Sequence, residues 1–300
     1  MLPQRLREAG FEVSVEPDHD YESLVRAAQG CEGLVVRSKV NIDRAFIDRV
    51  PSLRCIGRVG AGMETIDVEY AEAHGVRCLN SPEGNRDAVG EHAVGLLLAL
   101  LNNIARADAE VRKGLWQREA NRGYELGPQT VGIIGYGNMG QAFAKRLSGF
   151  GCRVIVYDKY KDFSGLKDIK VLRSLSELQA EADVVSFHVP LTDETHHYLD
   201  TTFIDAMAKP FYLINTSRGA VVDTVALVAG LESGKVRGAA LDVLEYENMQ
   251  ADGLGDVPEC VHYLQRSPRT VLTPHVAGWT VESKYKLAAV LADKMIEVLK

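Results

Sequence analysis

The 300-residue chain contains no long apolar run; the longest, Ala93 to Leu101, reaches at most half of a bilayer span. Its N-terminus lacks the hydrophobic stretch of a signal peptide. Basic residues form no block and the formal net charge is −7, so neither nucleic acid nor an anionic membrane is an expected partner. The five cysteines, Cys31, Cys55, Cys78, Cys152 and Cys260, show no CxxC spacing, which argues against a disulfide framework and against a metal site. They read as small apolar residues in a reducing compartment, and the expected location is cytoplasmic. Internal repeats and low-complexity segments are lacking too. What remains, 46% hydrophobic and 25% charged, is the balance of a globular protein. It is longer than one core usually serves, so two domains are expected.

The most informative stretch runs from Thr130 to Asp158. Val131 to Ile134 is a short β-branched run that reads as a buried parallel strand. It breaks into Gly135-Tyr-Gly137-Asn138-Met139-Gly140, and a helical pattern follows through Phe143, Leu147 and Phe150. A second apolar run, Val154 to Tyr157, ends on Asp158. Gly135 permits the tight turn, Gly137 lets a pyrophosphate approach bare backbone, and Gly140 allows close packing of helix on strand. The helix start at Asn138 and Met139 offers free N–H groups and a positive dipole end. Asp158 stands where a carboxylate hydrogen-bonds an adenosine ribose and repels a 2′-phosphate, which favours NAD over NADP. Lys159 and Lys161 nearby weaken that preference.

Before this stretch, residues 2–10 are helical in pattern. Phe11 to Val15, Gly33 to Val36, Arg54 to Ile56 and Val76 to Leu79 read as strands, with helices over 21–29, 43–50 and 68–74. The alternation implies a parallel α/β domain over residues 1–80. That domain opens on a helix, so either a first strand has been lost or the true start lies upstream of Met1. Ser81 to Asn85 is loop chemistry. A single long apolar helix is expected over Glu91 to Ala105, at a domain or subunit interface. After Thr130, strands continue through 184–189, 212–215, 239–243 and 270–272, and a last helix spans 281–299. The expected fold is α/β with two doubly wound parallel-sheet domains. The cofactor domain, residues 81–275, is of Rossmann type; a smaller flavodoxin-like domain, residues 1–80 with 276–300, serves the substrate.

Two side chains suggest chemistry on their own residues. His275 follows a strand at a Thr-Pro turn, where an imidazole can be aimed into a cleft, and imidazoles titrate near working pH. Arg218 follows a strand at the carboxyl edge where ligands bind in such sheets, and its fork can hold a carboxylate bidentately. Arg37 and Arg58 each end a strand, and two guanidinium groups there suit a substrate with a second anionic end. Several apparent motifs carry nothing. His196-His197 lacks further ligands at metal spacing and reads as a solvated turn; Asn215-Thr216-Ser217 is a sequon at a buried strand end; and Gly230-LESGK has the wrong spacing for a P-loop.

Four further stretches, Gly57-RVGAGMETID-Val68, Asn85-RDAVGEHAVGLLLALL, Asn215-TSRGAVVD-Thr224, and Gly238-AALDVLEYE with Leu272-TPHVAG-Gly278, resemble the D-isomer-specific 2-hydroxyacid dehydrogenase family, most nearly its short-form phosphoglycerate dehydrogenases. With the dinucleotide fingerprint they span nearly the whole chain in the family's order. The resemblance implies a catalytic set of Arg218, Glu247 and His275, with Glu247 orienting the imidazole. Glu245 is a rival two residues earlier, and Asn248 stands where the family usually has proline. It further implies cofactor contacts from His188, Pro190, Thr216, Ser217, Asp242 and Gly278, and substrate contacts from Gly60, Ala61 and Gly62 beside the two arginines. The expected cofactor is NAD, with no metal. The expected substrate is a small anionic 2-hydroxy acid, foremost 3-phospho-D-glycerate on the way to serine, bound in an interdomain cleft that closes on it. Hydroxypyruvate or glyoxylate reduction, erythronate 4-phosphate oxidation, and a corepressor-like NAD(H)-sensing role are the alternatives. A homodimer is expected from the family and from the apolar 93–101 helix.

Overall fold

Strand polarity and hydrophobic alternation build two parallel sheets, each inside its own compact unit, in a computed structural model that describes residues 1–16, 20–37, 39–161, 169–247 and 257–300. The smaller unit comprises Met1–Arg86 with Trp279–Lys300, and the larger comprises Asp87–Gly278. Both sheets are wholly parallel in their paired strands, as expected of this α/β class.

In the smaller unit, β1 (Gly33–Val36), β2 (Cys55–Arg58) and β3 (Arg77–Leu79) lie in the order β1-β2-β3. Asp20, Asp43 and Asp67 each cap the helix that follows by accepting a backbone N–H, from Ser23, Phe46 and Tyr70 respectively. The last helix, Val281–Leu299, begins in a capping box made by Thr280 and Ser283. It packs on β2, where Gly57 leaves room for Leu291 and Met295. The strand expected at Phe11–Val15 does not form. Its alternation is satisfied without a ladder: Phe11 and Val13 pack beside Leu2, Leu6 and Met295, and the Arg7 guanidinium donates to the Val13 carbonyl.

The unit boundaries fall a few residues beyond the expected 80/81 and 275/276. The Pro82–Gly84 turn belongs with the last helix, because Lys294 donates to both the Asn80 carbonyl and the Glu83 carboxylate. A Cβ on Gly84 would lie 2.5 Å from the Leu287 backbone nitrogen, so the turn and the helix touch backbone to backbone.

The larger unit holds β4 (Thr130–Ile134), β5 (Arg153–Tyr157), β6 (Lys170–Val171), β7 (Val184–Phe187), β8 (Phe211–Asn215), β9 (Val236–Leu241) and β10 (Thr270–Leu272). Their order is β10-β9-β8-β7-β4-β5-β6, so the winding reverses between β4 and β7. The central strands β4, β7 and β8 are buried almost throughout because both faces are covered. Along β8, Tyr212 and Ile214 enter one core with Val131, Ile133 and Leu97, while Phe211 and Leu213 enter the other with Val185 and Phe187.

The single helix expected over 91–105 is two helices. Arg86–Leu101 ends at a turn in which Asn103 takes φ 53, and Ile104–Arg112 continues at a bend of 63°. Ala93, Leu96, Leu97, Leu100 and Leu101 are buried inside the unit's own core, so the apolarity of this helix does not by itself call for a partner subunit. Solvent instead meets Ile104, Val111, Leu115 and Trp116 just beyond the bend. No single helix among the described residues is long and apolar enough to cross a membrane. Leu97→Ala should lower unfolding stability by about 2–5 kcal/mol, as for a packed core leucine, with no change in oligomeric size. Urea denaturation and sedimentation check the two halves of that expectation.

Candidate active site

In a parallel sheet every strand delivers its following loop to the same edge, and ligands bind there where the winding reverses. The glycines after β4 show what the protein's own packing requires. Gly135 takes φ 87, and a Cβ on it would sit 2.5 Å from the His188 carbonyl oxygen. At Gly140 a Cβ would sit 2.1 Å from the Gly135 carbonyl oxygen. Gly137 is different. Its backbone is extended and an added Cβ would meet nothing within 4 Å. Internal packing therefore explains the outer two glycines and leaves the middle one unexplained, beside the first N–H groups of the Asn138–Leu147 helix. That open space suits a phosphate drawn against bare backbone.

Asp158, just past β5, has its carboxylate fixed by backbone donors: Tyr136 N on Oδ2 at 2.8 Å, Tyr160 N and Lys161 N on Oδ1 at 3.0 Å each. A lone pair on Oδ2 remains for a ribose hydroxyl. Lys159 pairs with Glu194, so its charge is offset before it reaches Asp158. Past β7, His188 accepts or donates through Nε2 to the Ser186 hydroxyl, 2.9 Å away. Burial pushes its imidazole down to about 3, which keeps it neutral, and its buried Nδ1 has no hydrogen-bond partner. Past β8, the Thr216 hydroxyl is likewise buried without a partner. Two such orphaned atoms on neighbouring strand ends beside the winding reversal fit a bound polar group. Pro190 lends its carbonyl to Thr195. Ser217, expected on the cofactor side, spends its hydroxyl on Asn215 Oδ1 at 2.7 Å, and Gly278 closes the unit.

The catalytic candidates leave β8, β9 and β10, consecutive strands in the sheet. Arg218 starts the turn after β8 and donates through Nη1 to the Ser217 carbonyl at 2.6 Å; Asn215 Nδ2 holds the carbonyl of Arg218 itself. Gly219 follows because a Cβ there would lie 2.0 Å from the Leu244 carbonyl oxygen, in the loop that carries Glu247. Glu247 Oε1 meets His275 Nδ1 at 2.9 Å. Glu245, the rival acid, is engaged elsewhere: Oε1 meets His197 Nε2 at 2.7 Å and Oε2 accepts Thr224 N. His196 and His197 lie in a turn, His196 exposed and His197 half-buried. They stack at 4.0 Å, and His197 Nε2 meets Glu245. Asn248 lies outside the described residues.

His275 has φ 54, a left-handed backbone that costs a non-glycine residue about 1–3 kcal/mol and persists only where its surroundings enforce it. The group most engaged with this loop is Asp242, expected to face the cofactor. Its buried carboxylate accepts Thr273 Oγ1 at 2.6 Å and the N–H groups of Val276 and Ala277 at 2.9 Å each, while its carbonyl accepts His275 N at 2.7 Å. Burial raises the pKa of this carboxyl, but the hydrogen bonds from His92, Thr273 and the loop outweigh burial and hold it below its ordinary value. Neither His92 nor Thr273 was singled out by sequence reasoning. His92 sits in a matching stretch, but nothing in an apolar helix reports which loop its imidazole meets.

In the smaller unit Val36 pairs with Arg58 across β1 and β2, so Arg37 and Arg58 emerge from adjacent strands at one edge. Arg37 is exposed. Arg58 folds over its own loop, its Nη1 within 1.8 Å of where a Cβ on Gly60 would stand and donating to the Val59 carbonyl. The loop's Gly60 and Ala61 carbonyls accept Ser81 N and Asn80 Nδ2, and Gly62 continues the bend. No group of metal-ligating side chains occurs among the described residues. Gly137→Ala should leave the melting temperature nearly unchanged yet weaken NADH binding roughly tenfold or more, whereas Gly140→Ala should lower the melting temperature by several degrees. Thermal melts alongside NADH fluorescence titrations separate the two.

Residues 94–277 match the family model of the D-isomer specific 2-hydroxyacid dehydrogenase NAD binding domain. The chain is 34% identical over 297 residues to D-3-phosphoglycerate dehydrogenase of Methanocaldococcus jannaschii, covering 98% of this chain but 55% of the relative. It thus spans about half the length of such relatives. It is 35% identical over 289 residues to hydroxypyruvate reductase of Thermotoga maritima, covering 96% and 92%. The crystal structure of D-lactate dehydrogenase from Aquifex aeolicus, complexed with NAD and lactic acid, superposes with a TM-score of 0.79 at 30% identity, covering 92% and 84%. The carboxyl-edge loops, the glycine turn and the paired His275 and Glu247 therefore belong to a member of the D-isomer-specific 2-hydroxyacid dehydrogenase family whose larger unit is its NAD-binding domain.

Proposed function

We propose that this chain oxidises a small D-2-hydroxy acid with NAD, and that its substrate is 3-phospho-D-glycerate. The observation that supports the chemistry is the 2.9 Å contact of His275 Nδ1 with Glu247, made from a strained backbone position. NAD supplies the hydride acceptor. The chain's own residues do the rest: Arg218 holds the substrate carboxylate and polarises the oxygen on C2, and His275 takes the hydroxyl proton on Nε2. Glu247, on the opposite nitrogen, stabilises the imidazolium that forms. In the reverse direction the same imidazolium returns its proton to the carbonyl oxygen.

Within the larger unit, Gly137, Asn138, Met139, Asp158, His188 and Thr216 hold the cofactor on this reading. The smaller unit supplies the substrate contacts: the Gly60–Gly62 backbone for the carboxylate, Arg37 and Arg58 for the phosphate. What supports a phosphate is the emergence of two guanidinium groups from adjacent strand ends. The product would be 3-phosphohydroxypyruvate, which places the reaction in serine synthesis. A cytoplasmic homodimer completes the proposal, with the exposed Ile104, Val111, Leu115 and Trp116 as its contact rather than the buried 93–101 helix. One observation favours a second reading, reduction of hydroxypyruvate: the relative of that name is matched over 92% of its length.

His275→Ala should lower turnover by roughly 10²- to 10⁴-fold while NADH still binds, and unchanged turnover removes His275 from the mechanism. Arg58→Ala should weaken 3-phosphoglycerate about ten- to a hundredfold, the loss of one charged hydrogen bond. A substrate panel followed by NADH absorbance decides between the readings. Equal use of glycerate and phosphoglycerate by the parent enzyme ends the phosphate assignment.

A further inference from the structure

A chain of polar contacts reaches the His275 loop from a helix that the mechanism does not use. His92, on the Arg86–Leu101 helix, places Nε2 3.0 Å from Thr273 Oγ1. Thr273 Oγ1 lies 2.6 Å from Asp242 Oδ1, and His92 Nε2 itself is 3.5 Å from that oxygen. A buried carboxylate that also accepts the Val276 and Ala277 N–H groups is here an acceptor only, so the threonine hydroxyl must give its proton to it. The hydroxyl oxygen is then left to accept. His92 must therefore carry a proton on Nε2, and the polarity of the contacts follows: imidazole N–H to hydroxyl, hydroxyl O–H to carboxylate, with the Val276 and Ala277 N–H groups donating to the same carboxylate. A donor to the threonine oxygen makes its O–H a better donor to Asp242.

We propose that His92 is a positioning residue for His275, acting through the Thr273 hydroxyl and the Asp242 carboxylate to hold the loop in its left-handed turn. The inference rests on the catalytic reading of His275 given above. His275 has no side-chain hydrogen bond to this network; its own carboxylate partner is Glu247. The coupling runs through backbone instead. Asp242 clamps the residues on either side of the imidazole and accepts the N–H of His275 itself at 2.7 Å. Loss of one donor at the outer end loosens the carboxylate, and the φ of 54 at His275 relaxes. Misplacement of a reacting group by about 1 Å costs up to about a hundredfold in rate, and partial loosening less.

His92→Ala and Thr273→Val should each lower kcat about tenfold, with the NADH dissociation constant unchanged, and the double variant should fall no further than the worse single one, since both cut one relay. His92→Gln, which keeps an N–H at similar reach, and Thr273→Ser, which keeps the hydroxyl, should restore most of the rate. In a His275→Ala background the His92 substitution should change nothing, because the group being positioned is gone; a general structural defect would still lower the residual rate. Unchanged kcat in His92→Ala, failure of both conservative variants to rescue, or a further loss in the His275→Ala background overturns the proposal. Undiminished turnover in His275→Ala alone overturns the catalytic reading instead, so the two failures are told apart.

Discussion

A single buried carboxylate sets the geometry of the candidate catalytic loop. Asp242 stands at the end of β9 with almost none of its surface in water, and an ion in that position survives only if donors surround it. Those donors are the loop after β10: a threonine hydroxyl and two backbone N–H groups, with an imidazole behind the hydroxyl. Burial and hydrogen bonding oppose each other at this group, and hydrogen bonding wins, which is why its pKa lies below the ordinary carboxylate value despite the desolvation. The consequence is a loop held at several points by one carboxylate, and within it His275 takes a left-handed backbone with its N–H on the Asp242 carbonyl.

The sheet makes such an arrangement possible. Since all its strands run the same way, the glycine turn, Asp158, His188, Thr216, Arg218, Asp242 and His275 leave successive strands on one edge although more than a hundred residues of chain separate the first from the last. Beneath them, the alternation of Tyr212 and Ile214 with Phe211 and Leu213 keeps β8 anchored in two cores at once. The candidate site's loops therefore extend from a packed layer, and close backbone contacts such as Gly219 against Leu244 carry that order outward.

Where the chain followed its local pattern, the expected elements appeared: the runs 131–134, 184–189 and 212–215 each hold a strand, over Thr130–Ile134, Val184–Phe187 and Phe211–Asn215, and the last helix spans residues 281–299 as read. The misses share a cause. Phe11–Val15 has the right alternation for a strand but gains its burial from side chains alone, without a ladder. The apolar helix was read as an interface because apolarity shows that a surface must be covered without showing by what. The contact of His197 with Glu245 went unread because the two lie far apart in sequence.

The sequence by itself determined the parallel α/β class, the glycine turn with its acid, and the candidate catalytic residue types, because these are set by local periodicity, by backbone sterics and by short motifs. The family resemblance named Glu247 over its rival Glu245 as the partner of His275, and the tertiary structure shows that contact while turning Glu245 to His197. Only the tertiary structure decided that the Asp242 carboxylate binds the loop after β10 and that His92 stands behind Thr273. Hydrogen-bond partners far apart along the chain leave no periodic trace, and they are chosen by which buried charges must be satisfied once the strands are stacked.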